Sequence, residues 1–419
     1  MEHPTNLMTI TAVFTFAEPF APDDVRRLAE RLLRFDRFKQ RVVRGALGRP
    51  AWQLDPAFDL ARHVHTAPLA PDSEVALQAL VGDLMGTPLP YDRPLWQLHH
   101  VPAFGGGSAI VARVHHCVAD GMSLVQALLH LADEAPELPP IAHRGAGETR
   151  ERRERGGWLG GRRLVDAART GGSLAAAVTR ILDLRADPRT PFRGALGREK
   201  RAVWSEPIAL DEVRRVGKRL GATVNDVLLA TVAGALGRYL RDRGVRADGV
   251  TLRAVVPVNL RPPHDVALGN KFGMVFLPLP VGHADAVERL RAVKRAMDRV
   301  KRSPEAVVIF GLLRAFGTTT TRLLKLAVNV LGRKATAVMT NVPGPRSPVR
   351  FCGRAVETMM FWVPQSGRLG LGVSILSYDG QVRLGIATDA GLVPDPHAMI
   401  AAFHDAFAEL QAAHAPQTA

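Results

Sequence analysis

Cysteine is nearly absent from this 419-residue chain: Cys117 and Cys352 are the only two. No CxxC spacing exists, so neither a zinc site nor a disulfide framework is indicated, and a reducing compartment fits. Tyrosine is scarce, with three in the chain, and aromatics together make up 6%. The basic runs therefore lack the interleaved rings on which single-stranded nucleic acid stacks, and no helix-turn-helix or finger spacing accompanies them. No nucleic-acid partner is expected. Uncharged apolar runs of the roughly eighteen residues that a spanning helix requires are also missing. The best candidate, 305–331, is broken by Arg314, Arg322 and Lys325; it can lie on a bilayer but not cross one cheaply. The opening residues, MEHPTNLMTITAVFTF, lack a basic stretch followed by an apolar one and a small-residue cleavage site, so no signal peptide is expected.

Acidic residues are the other shortfall. Lys and Arg total 55 against 40 Asp and Glu, a net charge of +15, with a pI near 10.8. Such a balance suits a polyanionic partner. The charge is uneven. Residues 141–201 hold fifteen basic and seven acidic residues, and residues 289–302 (RLRAVKRAMDRVKR) hold seven and one. Both fit either a solvated face or contact with an anionic membrane. Hydrophobic residues make up 47% and charged residues 23%, which is ordinary for a globular protein.

The length suggests two folded parts. Strand-type residues at 8–16 lead into a helix at about 22–33, opened by Pro22-Asp23-Asp24. A second helix is expected at about 73–85, where Leu77, Leu80, Val81 and Leu84 fall at helical spacing. AIVARVH (109–115) reads as a strand and 123–132 as a helix. Residues 133–160, rich in Pro, Gly and charge, read as a loop, and a helix is expected at about 161–185. Further on, helices are expected at 209–220, 225–242, 284–302, 305–331 and 397–412. Strands are expected at 251–258, 273–280, 335–341, 371–377 and 381–388. The organisation expected is an N-terminal half over 1–140, a basic linker with a helix over 141–202, and a C-terminal half over 203–419. The fold class is α/β, with mixed sheets.

The chemistry-bearing segment is His115-His116-Cys117-Val118-Ala119-Asp120-Gly121, HHxxxDG, at a strand-to-helix turn. A neutral imidazole titrates near working pH and can take the proton of an alcohol attacking a thioester. Asp120 sits close enough to hold the turn through backbone groups or a nearby Arg, and Gly121 allows a tight path. An isolated His pair is ordinarily structural. The pair His99-His100 has no following acid and is read that way. Together the two pairs match no common zinc spacing, and no metal is expected. Cys117 follows His116 directly, so on a strand its thiol would face the opposite side.

Further segments narrow the reading: Pro94-Leu95-Trp96, Val224-Asn225-Asp226, Pro257-Val258-Asn259-Leu260-Arg261, Leu268-Gly269-Asn270 and Thr340-Asn341-Val342-Pro343-Gly344-Pro345. With HHxxxDG, this ordered set resembles the bacterial wax ester synthase/diacylglycerol acyltransferase family over about residues 2–395. The resemblance implies two chloramphenicol-acetyltransferase-like halves meeting at a tunnel with the active site at their interface. It implies an O-acyltransferase that moves a fatty acyl group from acyl-CoA to diacylglycerol or a long-chain fatty alcohol, with no cofactor. A related activity, with a carrier-protein-bound acyl donor, is the alternative within enzymes; a lipid-surface-binding protein is the alternative outside them. By the same resemblance His116 is the general base, His115 its neighbour in the motif, Asp120 structural, and Asn225 site-shaping or polarising. Asn225 also suits the N-cap of the 225–242 helix. Asn270, Thr340 and Asn341 are candidates for substrate contact. The expected location is cytoplasmic, peripheral to the plasma membrane or to lipid inclusions. The segment between Trp96 and His115, with Phe104-Gly105-Gly106-Gly107 and the extra His pair, departs from the family pattern.

Overall fold

The computed structural model describes residues 2–45, 50–119, 131–134, 184–259, 272–302, 330, 332–365 and 367–413. The helices expected at about 123–132, 161–185 and 305–331 lie almost wholly outside these residues. So do Asp120, Gly121, Asn270 and most of the 141–202 linker.

The first sheet is built on the strand-forming segment at the N-terminus. Strand β1 (Thr9–Phe16) is buried at every position, as its β-branched and aromatic side chains favour. Around it lie β4 (Val64–Thr66), β5 (Trp96–Phe104), β6 (Gly107–His115), β12 (Arg350–Phe351) and β13 (Arg354–Trp362), in the order β12-β13-β1-β6-β5-β4. Every pairing is antiparallel except β4 with β5. The glycine run after Phe104 forms the β5–β6 hairpin turn. Gly105 and Gly106 have φ of 58° and 81°, the left-handed values that suit a two-residue hairpin. Helix α1 (Pro22–Leu32) starts with Pro and two acids and buries Val25, Leu28 and Leu32. Helix α2 (Glu74–Gly86) is capped by Ser73, whose hydroxyl accepts from the Ala76 N–H at 3.2 Å. A separate hairpin joins β2 (Gln40–Arg44) to β3 (Pro50–Leu54).

The second sheet contains β7 (Lys200–Trp204), β9 (Leu252–Asn259), β10 (Phe272–Leu279), β11 (Ala337–Pro343), β14 (Leu371–Tyr378) and β15 (Gln381–Asp389). Their order is β10-β9-β11-β14-β15-β7, with β8 (Ile208–Ala209) also on β15. Strand β11 runs parallel to β9 and β14, so the sheet is mixed. Helices α3 (Leu210–Arg219), α4 (Val224–Asp242), α5 (Ala286–Arg302) and α6 (His397–Ala412) are the α-helices of this half among the described residues. The basic run 289–302 lies on α5. Leu290, Val293, Met297 and Val300 are buried, and Arg291, Lys294, Arg295 and Arg299 are exposed or half-buried, the pattern of an amphipathic surface helix. Arg289 is the exception, buried against Glu409 at 3.0 Å and the carbonyls of Ala230, His283 and Ala284. Among the described residues no single helix is long and apolar enough to cross a membrane. The pair α3 and α4 passes by length and composition but is bent by 96°, and α4 is mostly core.

Division by sequence at residue 203 does not coincide with division by sheet. Residues 350–362 belong to the first sheet, because β13 pairs with β1 from Thr11↔Trp362 to Phe16↔Val356; β7 starts the second sheet at Lys200. The halves therefore meet along β13. Trp362 lies against Trp204 with ring centroids 5.8 Å apart. A side chain at Gly385 would place its Cβ 2.6 Å from the Met360 methyl and 2.8 Å from the Trp362 indole nitrogen. The close approach of β15 to β13 thus depends on glycine at that position.

Candidate active site

Strand β6 delivers the His pair. Its last residue, His115, pairs with Thr9 of β1. The His116 N–H then donates to the Met8 carbonyl at 2.7 Å, and the Val118 N–H donates back to the His115 carbonyl at 2.9 Å. His115 is thus the last residue of the strand, and His116 is the first of a turn. His116 is half-buried, neither sealed in the core nor fully exposed.

His115 is held at both ring nitrogens. Nδ1 accepts the Cys117 backbone N–H at 3.1 Å. Nε2 lies 3.3 Å from the Tyr91 hydroxyl and 3.7 Å from Glu2 Oε2. Tyr91 donates its own proton to Glu2 Oε2 in a close hydrogen bond, and Glu2 Oε1 accepts the Met8 N–H at 3.1 Å. The donors and acceptors are mutually consistent for a neutral ring protonated at Nε2: Nε2–H to Tyr91 Oη, then Oη–H to Glu2. Burial opposes a charge on His115, while Cys117 and Glu2 favour it and raise the ring. The Cys117 N–H opposes that second proton, since it needs the Nδ1 lone pair. Burial also works against a charge on Glu2, yet hydrogen bonds from His115, Tyr91 and Met8 bring it down to about 2. Burial and the Glu2 contact raise the Tyr91 hydroxyl.

Arg113, two residues back on β6, is 1% exposed. Its guanidinium donates to Gln97 Oε1 at 2.8 Å and to the Thr87 carbonyl, and burial lowers it to about 10 against the pull of Glu2. The His99-His100 pair lies inside β5, between β4 and β6. His99 stacks on His65 at 5.1 Å, and burial, with Arg113 nearby, pushes it down to about 3. Among the described residues, no three His, Cys, Asp or Glu side chains group as metal ligands.

The second half brings Asn225 and Asn341 together. Asn341 Nδ2 donates to Asn225 Oδ1 at 2.7 Å, joining α4 to β11. Asn225 does not cap its helix. Thr223 does, in a reciprocal capping box with Asp226, because a hydroxyl and a carboxylate three residues apart satisfy each other's N–H. Asn225 Nδ2 is buried with no hydrogen-bond partner. Thr340 faces the other side of β11, buried, with its hydroxyl on Ser374 Oγ at 3.1 Å. Sequence reasoning gave Glu2 no role and passed over Tyr91. Neither has a local signal, since they lie 113 and 24 positions from His115 and meet it only through the β1–β6 register and the loop before β5.

Residues 1–228 match the wax ester synthase/diacylglycerol acyltransferase catalytic domain, and residues 268–411 match the WS/DGAT C-terminal domain. The chain belongs to the wax ester synthase/diacylglycerol acyltransferase family. It is an O-acyltransferase. A probable diacylglycerol O-acyltransferase of Mycobacterium tuberculosis is 29% identical, over 94% of this chain and 89% of that protein. A putative one from the same species is 32% identical, over 90% and 86%. The wax ester synthase/diacylglycerol acyltransferase of Marinobacter aquaeolei VT8 superposes with a TM-score of 0.69 at 23% identity, covering 98% of this chain and 95% of that one. The first condensation domain of the CDA synthetase gives 0.64 at 19%, covering 98% and 93%. The fold is thus the two-half, chloramphenicol-acetyltransferase-like one.

Proposed function

We propose that His116 is the general base in transfer of a fatty acyl group from acyl-CoA to the hydroxyl of diacylglycerol or a long-chain fatty alcohol. His116 takes the hydroxyl proton as the oxygen attacks the thioester carbonyl. The C–O bond forms, the C–S bond breaks, and the proton passes from His116 to the departing CoA thiolate. The ester and free CoA account for every atom, so this reading requires no cofactor. The oxyanion formed on the way calls for a fixed donor, and the Asn225 amide is the candidate on the second half. Asp120 would hold the turn rather than act on substrate. The observation that carries the reading is the placement of His116: a half-buried imidazole at the end of a sheet strand, with its backbone tied to Met8 at 2.7 Å.

The deciding experiment offers purified protein palmitoyl-CoA with diacylglycerol and hexadecanol in parallel, with products separated by thin-layer chromatography. Triacylglycerol or wax ester is expected. No product with either alcohol, with activity only from a carrier-bound acyl group, would favour the carrier-dependent alternative. For location we propose peripheral attachment to an anionic membrane or lipid inclusion on the cytoplasmic side. The outward-facing cations of α5 support this, since they attract lipid headgroups electrostatically and the attraction is screened by salt. Binding to anionic vesicles is expected to weaken as salt rises; salt-independent binding would mean that apolar insertion dominates.

A further inference from the structure

One carboxylate reaches both histidines of the motif. Glu2 Oε1 accepts the Met8 N–H at 3.1 Å, and the carbonyl of Met8 accepts the His116 N–H at 2.7 Å. Glu2 Oε2 takes the Tyr91 hydroxyl proton, and Tyr91 Oη faces His115 Nε2 at 3.3 Å. On the far side of that ring, Nδ1 accepts the Cys117 N–H at 3.1 Å. The two arms therefore bracket His116: one holds its own N–H, and the other, through the His115 ring, holds the N–H of the next residue.

We infer that Glu2 is a positioning residue for the catalytic base: its carboxylate, acting through Met8 on one side and through Tyr91 and His115 on the other, fixes the turn from which His116 projects. This rests on the reading of His116 as the base. The physical need is plain. A turn residue whose neighbours lack side-chain anchors samples several backbone conformations, and general-base catalysis requires hydrogen-bond distance to the substrate hydroxyl. Glu2 and Tyr91 supply the anchors without touching substrate. A carboxylate suits the task better than an amide. It is acceptor-only, so both oxygens receive protons, and the Nε2–H tautomer of His115 is the one that leaves Nδ1 open for the Cys117 N–H. The ionisable groups facing His115 are Glu2, from the N-terminal segment, Tyr91, from the loop before β5, and Cys117, in its own turn; Arg113 lies two residues back on β6, within reach of the Glu2 charge.

The test compares Glu2→Gln, Glu2→Asp and Tyr91→Phe with the wild-type chain and with His116→Ala. Glutamine keeps an acceptor for Met8 but presents an NH₂ to Tyr91 and His115. The expected result for Glu2→Gln is a kcat lower by about 10- to 100-fold, on the scale of a mispositioned catalytic group, with KM for palmitoyl-CoA within about twofold. Glu2→Asp should recover part of the loss, and Tyr91→Phe should lose less than Glu2→Gln. In protein labelled with ¹³C-histidine, the His115 resonance, assigned by its loss in His115→Gln, should titrate at lower pH in Glu2→Gln than in the wild type, because the anion that favours its proton is gone. A folded Glu2→Gln protein with wild-type kcat overturns the proposal. So does an activity loss that merely tracks the folded fraction while the His115 titration is unmoved. If His116→Ala retains activity, the base assignment fails and this proposal falls with it. If His116→Ala is inactive and Glu2→Gln is not, the base stands and only the positioning role is lost.

Discussion

The dipeptide His-His occurs twice, on adjacent strands of one sheet, in opposite circumstances. In β5 the pair His99-His100 lies mid-strand, flanked by β4 and β6. No carboxylate contacts it among the described residues, and burial and Arg113 drive His99 down to about 3. In β6 the pair His115-His116 straddles the strand end. His115 is anchored at both nitrogens, with Cys117 and Glu2 raising its titration against its burial, and His116 begins the turn. The contrast teaches that the dipeptide itself carries no chemistry. The strand end puts the second residue past the last sheet pair, at the start of a turn, and a nearby carboxylate fixes the first ring. Mid-strand, each ring is part of the sheet's packing.

The sharpest way to break the comparison is to remove the imidazole assigned to catalysis. His116→Ala is expected to lower kcat by about 10²–10⁴, the usual worth of general acid–base catalysis, with the melting temperature nearly unchanged because the ring is only half-buried. Steady-state rates with palmitoyl-CoA and either alcohol, beside a thermal melt, check both parts. A folded variant that turns over at the wild-type rate would erase the distinction between the two pairs.

The next-largest effect is expected in the second half, at Asn225 and Asn341. The amide of Asn341 donates to Asn225 Oδ1, which turns Asn225 Nδ2 the other way, where it has no partner. A buried unpaired N–H costs about 1–3 kcal/mol, and such a cost is commonly kept where a ligand completes the set. Asn341→Asp offers only acceptors, so the Asn225 amide must rotate to donate, and its oxygen then replaces the N–H. If that N–H serves the oxyanion, kcat should fall by up to about 10²–10³, the loss seen when an oxyanion donor is removed. The hydrogen bond is kept in number, so stability should change little. An unaltered kcat in Asn341→Asp would reduce the pair to a brace between α4 and β11.

Most of the regular elements are legible because residue type, start signals and spacing specify them locally. The strand at 8–16, the helix at 22–33 and the closing helix at 397–412 appear within a residue or so of the expected bounds. Strand β5 was missed because HHVPAF contains Pro and two polar rings and shows no clean alternation. Strand β13 was missed because RAVETMMFW is as consistent with a helix as with a strand; its pairing with β1, some 345 positions away, decides the matter. The site divides in the same way. His115 and His116 are visible as a local motif. The Asn341–Asn225 contact spans 116 positions and the Tyr91–Glu2 contact 89, and no local pattern encodes a contact that tertiary packing creates.

The smallest effect, and the one that sharpens the comparison most, belongs to His99. Its Nε2 is buried without a partner, so replacing the ring with an apolar side chain removes an unsatisfied polar atom at the expense of stacking on His65. His99→Leu should therefore leave kcat within about twofold and neutral-pH stability within about 1 kcal/mol, the two terms being of similar size. Acid should separate the variants. The folded ring is held down to about 3, while the unfolded ring keeps its ordinary 6.5. Between those values the unfolded chain binds a proton that the folded one refuses. The wild type thus loses stability as pH falls from about 6.5 towards 3, and the leucine variant is spared that loss. Denaturant melts at about pH 7 and about pH 4.5, on either side of the ordinary imidazole value, should show the advantage of His99→Leu growing with acidity. A wild type and variant that weaken in parallel would mean that His99 accepts its proton in the fold, and that the mid-strand pair is less sealed than its neighbours imply.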